Sequence, residues 1–66
     1  MEKQVKETLY LIVWSKIIPF ELKKKLFELV VKHSKNKDLI KNIYTSLSKK
    51  MQLDDVAGIR ALIKKI

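Results

Sequence analysis

The sequence predicts an all-α protein, a compact bundle of three to four helices that forms one domain over residues 1–66. Three observations lead to this fold class. Apolar residues recur at helical spacing in four successive segments, short polar or proline-containing breaks separate those segments, and no segment alternates apolar and polar residues as a strand does. Short connections of this kind join neighbouring helices of a bundle.

The length of the chain bounds its stability. Sixty-six residues bury only about 60% of their unfolded surface, and scaffolds of this size usually need a disulfide, a metal, an oligomer or dense helix packing. The chain has no cysteine, which excludes disulfides and thiolate zinc sites. We therefore expect dense packing together with self-association as a homodimer.

Helix 1, predicted over residues 3–17, is expected to lie at the centre of the bundle. An unbroken apolar run over residues 9–14 is followed by Ile17 and Ile18. The strip of the helix that stays polar is narrow and consists of Gln4, Thr8 and Ser15. A helix that is apolar nearly all round must be enclosed by other helices or by a second subunit. The pattern therefore predicts a buried central helix.

Helix 2 is predicted from Pro19 to His33. Proline fits the first turn of a helix, where its missing N–H would be unpaired, and it disfavours helical geometry at the preceding Ile18. The apolar residues of this helix cover a little over half its circumference: Phe20, Leu22, Leu26, Phe27, Leu29, Val30 and Val31.

Helices 3 and 4 are conventional amphipathic helices. Helix 3 is predicted over residues 37–51 with Asn36 or Ser34 as its cap, and helix 4 is predicted to be capped by Asp54, with Asp55 in its first turn. The core stripe of helix 3 consists of Leu39, Ile40, Ile43, Tyr44, Leu47 and Met51. The core stripe of helix 4 consists of Val56, Ile59, Leu62, Ile63 and Ile66.

Gly58 lies inside helix 4, where a glycine costs up to about 1 kcal/mol relative to alanine. Beside Ala57 and Ala61 it either permits a close helix crossing or is simply tolerated in a short terminal helix. We favour tolerance.

The residues do not suggest an enzyme. With one glycine the chain has no phosphate-binding loop, and the adjacent Asp54 and Asp55 sit where helix caps belong. His33 is the single histidine and has no cysteine to join it in a metal site. We therefore expect no catalytic residue, no metal and no cofactor.

The charge favours an anionic partner. Fifteen basic residues against seven acidic residues give a net charge of +8, and half of this excess lies in residues 34–52. Such a field attracts nucleic acid, an anionic membrane surface or an acidic protein. Lysines interleaved with small hydrogen-bonding side chains are the mixture that contacts phosphate oxygens. The predicted nucleic-acid-binding residues are Lys35, Lys37, Lys41, Asn42, Thr45, Lys49 and Lys50. The alternative is an ordinary solvated helix face.

A helix-turn-helix arrangement is possible in two ways, with helix 2 paired to helix 3 or helix 3 paired to helix 4. The second pairing lacks the glycine usual in the turn, where Gln52 stands, and would present Asp54 and Asp55 to phosphates. The first pairing is therefore electrostatically better.

Three aromatic residues on the predicted helices have two interpretations. Tyr10, Trp14 and Tyr44 could stack nucleobases, but at helical spacing among aliphatic residues we favour core positions with a polar tip at the edge. A helix this apolar in so small a chain can also leave part of itself uncovered, and an exposed apolar patch marks a partner site. The candidate protein interface consists of Tyr10, Trp14 and Ile18.

The same observations rank the functions. The apolar run has no signal-peptide features and is too short for a membrane span, so we expect a cytosolic protein and disfavour a membrane partner. A nucleic-acid-binding regulator or accessory factor comes first on charge alone. A protein–protein interaction module with an acidic partner, such as an adaptor, an inhibitor or an accessory subunit, follows closely.

Overall fold

The structure, a computed structural model that describes residues 2–66, consists of four α-helices, and that part of the chain contains no strand. The helices are α1 (Lys3–Trp14), α2 (Phe20–Lys32), α3 (Lys37–Gln52) and α4 (Val56–Lys65). Each helix packs against two others, α1 and α4 both lying against α2 and α3. The all-α bundle is therefore confirmed in its four-helix form. The predicted domain also includes Met1, which lies outside the described residues.

The hydrophobic core is entirely aliphatic. Its eleven buried hydrophobic side chains are Val5, Leu9, Ile12, Ile18, Leu22, Leu26, Val30, Ile40, Ile43, Leu47 and Ile59. The core stripes predicted for helices 3 and 4 are confirmed, since Ile40, Ile43, Leu47 and Ile59 are buried and their other members are half-buried. No aromatic ring belongs to the buried set. The aromatic residues of this chain must therefore lie at its surface or its edge.

Helix α1 ends at Trp14, three residues earlier than predicted. Ser15 leaves the helix in an extended conformation, and its buried hydroxyl oxygen accepts hydrogen bonds from the backbone N–H groups of Ile17 and Ile18, both at 3.2 Å. A serine that bonds the backbone locally competes with the helix, and Ile18 is kept out of helical geometry by Pro19. The two effects together explain the early end.

The connection between α2 and α3 confirms one predicted cap and corrects the helix-turn-helix hypothesis. The side chain of Asn36 accepts a hydrogen bond from the backbone N–H of Leu39 at 3.1 Å, as an N-cap does. Helices α2 and α3 do not pack closely against each other, and each packs instead against α1 and α4. Of the two consecutive pairs considered, only α3 and α4 pack closely together.

The turn between α3 and α4 corrects the predicted cap of α4. Asp54 is not the cap of α4 but follows Leu53, the C-cap of α3, and has a φ of 52° in the left-handed region. The N–H of Asp54 bonds the carbonyl of Met51 at 3.2 Å, and the N–H of Asp55 bonds that of Lys50 at 2.8 Å. This is the Schellman arrangement, which usually places glycine at the left-handed position. Asp55 is then the N-cap of α4, and its carboxylate accepts from the N–H of Gly58 at 2.8 Å.

Replacing Asp54 tests this geometry. A residue with a Cβ pays about 1 kcal/mol for the left-handed conformation, whereas glycine does not. Asp54→Gly and Asp54→Ala remove the same charge, and we expect the glycine variant to be the more stable by about 1 kcal/mol in urea denaturation followed by circular dichroism. Equal stability of the two variants would contradict a left-handed residue at this position.

Gly58 lies directly against the capping carboxylate of Asp55. A Cβ on Gly58 would lie 2.6 Å from the carboxyl carbon of Asp55 and closer still to one of its oxygens. The capping carboxylate therefore occupies the space that any other side chain would fill. A Cβ at residue 58 would therefore require the carboxylate of Asp55 to move from the position in which it caps α4.

A double-mutant cycle checks this coupling. Gly58→Ala alone should give no gain in the free energy of unfolding, because the better helix propensity is offset by loss of the Asp55 cap. In an Asp55→Ala background the same Gly58→Ala change should stabilise by about 1 kcal/mol. Additive effects in the cycle, measured by thermal denaturation, would show that the carboxylate and the glycine do not share this space.

Candidate functional site

The most unusual surface of the molecule lies on α1 and α2. Six large apolar side chains are exposed there, with Trp14 77% and Phe20 81% accessible. We call this region the aromatic surface and define it as Tyr10, Val13, Trp14, Phe20, Phe27 and Val31. It holds four of the five aromatic residues of the chain. Exposed apolar patches of this kind mark binding sites.

Helix α1 presents its aromatic residues outward because its other face fills the core. Val5, Leu9 and Ile12 point inward, and Thr8, which is fully buried, donates its hydroxyl proton to the carbonyl of Gln4 at 2.7 Å. That internal bond satisfies the hydroxyl and removes the cost of burying it. The polar strip of helix 1, predicted as Gln4, Thr8 and Ser15, thus faces partly inward, since Thr8 and Ser15 are buried.

Within a single chain, α1 is therefore not enclosed on all sides as predicted, and its enclosure by a second subunit stays a prediction. Helices α2 and α3 cover one part of its circumference, and no other element reaches the face that carries Tyr10, Val13 and Trp14. A chain of this size buries only about 60% of its unfolded surface, so part of its apolar surface stays exposed. The same correction applies to Tyr10 and Trp14, which the sequence interpretation favoured as core residues. Tyr44, by contrast, is half-buried as expected.

Helix α2 contributes the second half of the aromatic surface. Phe20, Phe27 and Val31 recur at intervals of seven and four residues, a spacing that aligns them along one face. Leu22, Leu26 and Val30 occupy the face turned to the core. The sequence pattern placed these six residues of α2 on one apolar face. The width of that face could have separated the exposed from the buried residues, since it covers more of the helix than one neighbouring helix can bury.

The two halves form one continuous surface. Two shallow depressions cross it, and both include Val13 and Phe27. The first is further lined by Phe20, Lys23, Lys24 and Glu28. The second is further lined by Lys6, Leu9, Tyr10 and Trp14. Val13 and Phe27 therefore form the shared floor between α1 and α2.

Positive charge borders this apolar region. Lys6, Lys23 and Lys24 line the depressions against a single acid, Glu28. The ammonium group of Lys23 donates to the carbonyl oxygen of Val13 at 3.0 Å, at the C-terminal end of α1. A cation there is favoured by the helix dipole. The aromatic surface thus combines exposed rings with a basic border.

Ile18 is not part of this surface. The sequence grouped it with Tyr10 and Trp14 as a candidate interface residue, but its side chain is only 4% exposed and belongs to the core. The turn held by Ser15 directs Ile18 inward instead of continuing the outer face of α1. Phe20 takes its place as the exposed apolar residue after the turn.

The lysine cluster on and before α3 is only partly brought together. Lys35, Lys37 and Lys41 are exposed, as are Asn42, Thr45 and Lys49. At 100° per residue, Lys41 and Lys49 lie about 80° apart around α3, whereas Lys50 lies about 180° from Lys41. Lys50 is half-buried and lines a groove between α3 and α4 with Ser46, Gly58, Ala61, Leu62 and Lys65. Lys50 therefore does not belong to the same face.

Acidic side chains and the single histidine do not form a further cluster in residues 2–66. No group of three or more histidine, cysteine, aspartate or glutamate side chains within that range could hold a metal ion. Asp55, one of the two adjacent acids, is occupied as a cap.

None of the helices in the described part of the chain has the length and apolar character needed to cross a bilayer.

Comparison with known proteins adds no further assignment. No protein-family model, no curated protein and no solved structure matches the chain.

Proposed function

We propose that this protein is a small non-enzymatic binding module that docks onto a partner protein through its aromatic surface. One observation carries the proposal: four of the five aromatic side chains lie together on an exposed surface, while the core is wholly aliphatic. The centres of protein interfaces are enriched in Trp, Tyr and Phe, and such residues supply most of the binding energy. The interaction module therefore moves ahead of nucleic-acid binding.

Site-specific photo-cross-linking tests this proposal. A benzophenone amino acid placed at Tyr10 or at Phe20, in cells that make the protein, should yield the same protein adduct from both positions. The same group placed at Thr45, which is exposed on α3, is the matched control and should not yield that adduct. Nucleic-acid adducts from Tyr10 and Phe20 would count against a docking role for the aromatic surface. Equal protein adducts from these two positions and from Thr45 would also count against it.

Nucleic-acid binding through α3 is the second candidate function. It is supported by the exposed Lys37, Lys41 and Lys49, none of which forms an ion pair with an acid of residues 2–66. Asn42 and Thr45 on the same helix add hydrogen-bonding groups for phosphate and sugar oxygens. In this function α3 would lie along the phosphate backbone, with Lys35 contributing from the preceding turn.

A gel-shift series over single- and double-stranded DNA and RNA at two salt concentrations tests this second candidate. Each phosphate neutralised contributes about 0.9 to the slope of log affinity against log salt. Lys41→Gln/Lys49→Gln should therefore lower that slope by about 2. Lys64→Gln/Lys65→Gln on α4 removes the same charge and should change the salt slope much less. Equal losses in the two variants would mean that net charge alone drives the binding.

The homodimer and the cytosolic location expected from the sequence stay predictions. Sedimentation at increasing protein concentration checks the first, and fractionation of cells that make the protein checks the second.

A further inference from the structure

We infer that the occupant of the aromatic surface is an amphipathic α-helix of the partner, apolar on one face and acidic along its flanks. This inference rests on the proposed function and adds the class of partner. Three features of the surface carry it: its shape, its length and the charge at its border.

The shape suits a helix laid lengthwise. Val13 and Phe27 form a low floor between α1 and α2, and Phe27 is the least exposed member of the surface. Trp14 on α1 and Phe20 on α2 are far more exposed and line the depressions beside that floor. A surface with a central depression between two helices receives the ridge of a third helix.

The length of the surface matches about three turns of a helix. Phe20 and Val31 are eleven residues apart on α2, so they lie about 16 Å apart along its axis at 1.5 Å per residue. A partner helix parallel to α2 would therefore place about four anchor residues, at positions i, i+4, i+7 and i+11, over the aromatic surface.

The charge of the border selects acidic flanks. Lys6, Lys23 and Lys24 line the two depressions against one acid, Glu28. Neither Lys6 nor Lys24 is ion-paired with an acid of residues 2–66, where the single ion pair joins Arg60 and Glu21. Glutamate or aspartate on either side of the partner's apolar stripe would meet these ammonium groups. Charge complementarity of this kind raises association rates and rejects partners of the wrong sign.

Two other occupants fit this surface less well. A second copy of this chain would bring an identical basic border, on a molecule of net charge +8, against the first. For a single-stranded nucleic acid, Val13 and Val31 offer methyl groups where stacked bases need ring faces. Aliphatic side chains of a helix fit those positions better.

The test uses synthetic helical peptides of about 15 residues, the length that spans the surface. One carries leucine at i, i+4, i+7 and i+11 with glutamate on the flanks, a second carries lysine instead of glutamate, and a third is a shuffled form of the first. Trp14 is the single tryptophan of the protein, lies on the surface and reports binding through its fluorescence. None of the peptides contains an aromatic residue.

The acidic peptide should shift the Trp14 emission to shorter wavelength and bind at least about tenfold more tightly than the lysine peptide. The shuffled peptide should give no shift. Lys6→Glu/Lys24→Glu should abolish or reverse the preference for the acidic peptide, whereas Lys64→Glu/Lys65→Glu, with the same change in net charge, should retain it.

Three results would overturn the inference. If acidic and lysine peptides bind equally, and this binding is lost in a Tyr10→Lys/Phe20→Lys variant, the partner is not an acidic helix. The proposed docking through the aromatic surface would then still hold. A dimer in sedimentation that Phe20→Lys dissociates would assign the surface to a second copy. Quenching of Trp14 by oligothymidylate, with no peptide bound, would remove both the inference and the proposed function.

Discussion

Leu26→Ala is expected to remove a large part of the stability of this protein. Leu26 is fully buried among the aliphatic side chains of the core, and a leucine-to-alanine change at such a site costs about 2–5 kcal/mol, because it loses transfer energy and leaves a cavity. A domain of 66 residues has about 3–10 kcal/mol in total. Urea denaturation of the variant, followed by circular dichroism, should show a sharply lower midpoint.

Phe20→Ala is the matched control, on the same helix. It removes a larger side chain, yet Phe20 is 81% exposed in this structure, so we expect its free energy of unfolding to change by less than about 0.5 kcal/mol. A cost at Phe20 equal to that at Leu26 would mean that Phe20 is buried in solution, as in a dimer. The comparison therefore measures burial and not side-chain size.

Tyr10→Lys/Phe20→Lys is expected to lower affinity for the partner by about 100-fold or more. Aromatic residues at the centre of an interface each contribute about 2 kcal/mol or more, and their effects are not fully additive. Titration with the partner that photo-cross-linking identifies, followed by Trp14 fluorescence, measures this loss of affinity. The free energy of unfolding should change by less than about 1 kcal/mol, because both side chains are exposed.

Asn42→Lys/Thr45→Lys provides the control for charge. It adds the same two lysines on the exposed face of α3 and should leave partner affinity nearly unchanged. If the α3 variant weakens docking as much as the variant of the aromatic surface, then added positive charge explains the loss and the rings do not.

Most of the local structure could be predicted from the sequence. Helices 2, 3 and 4, the Asn36 cap and the core stripe of α3 follow from apolar periodicity and capping chemistry, which act over a few residues. Helix 1 was predicted too long because Ser15 forms its own hydrogen bonds with the backbone of the next turn. Asp54 and Asp55 are adjacent acids. Spacing alone did not show which of them caps α4 and which adopts the left-handed conformation after α3.

The candidate site could not be predicted in the same way. Tyr10 and Trp14 were identified as candidate interface residues, but Phe20, Phe27 and Val31 looked like core residues. Their exposure depends on which arc of α2 meets α1 and α4, and periodicity does not report that choice when the apolar face covers more than half the helix.

The sequence by itself determined the helical class, the approximate helix bounds, the absence of cysteine chemistry and the excess of positive charge, since these depend on composition and short-range spacing. Only the tertiary structure decided that Thr8 lies inward while Trp14 and Phe20 lie outward. Four short helices cannot bury every apolar side chain they carry, so packing leaves one arc of α1 and one arc of α2 outside the core, and these arcs carry four of the five rings. That division creates the surface on which the proposed function depends.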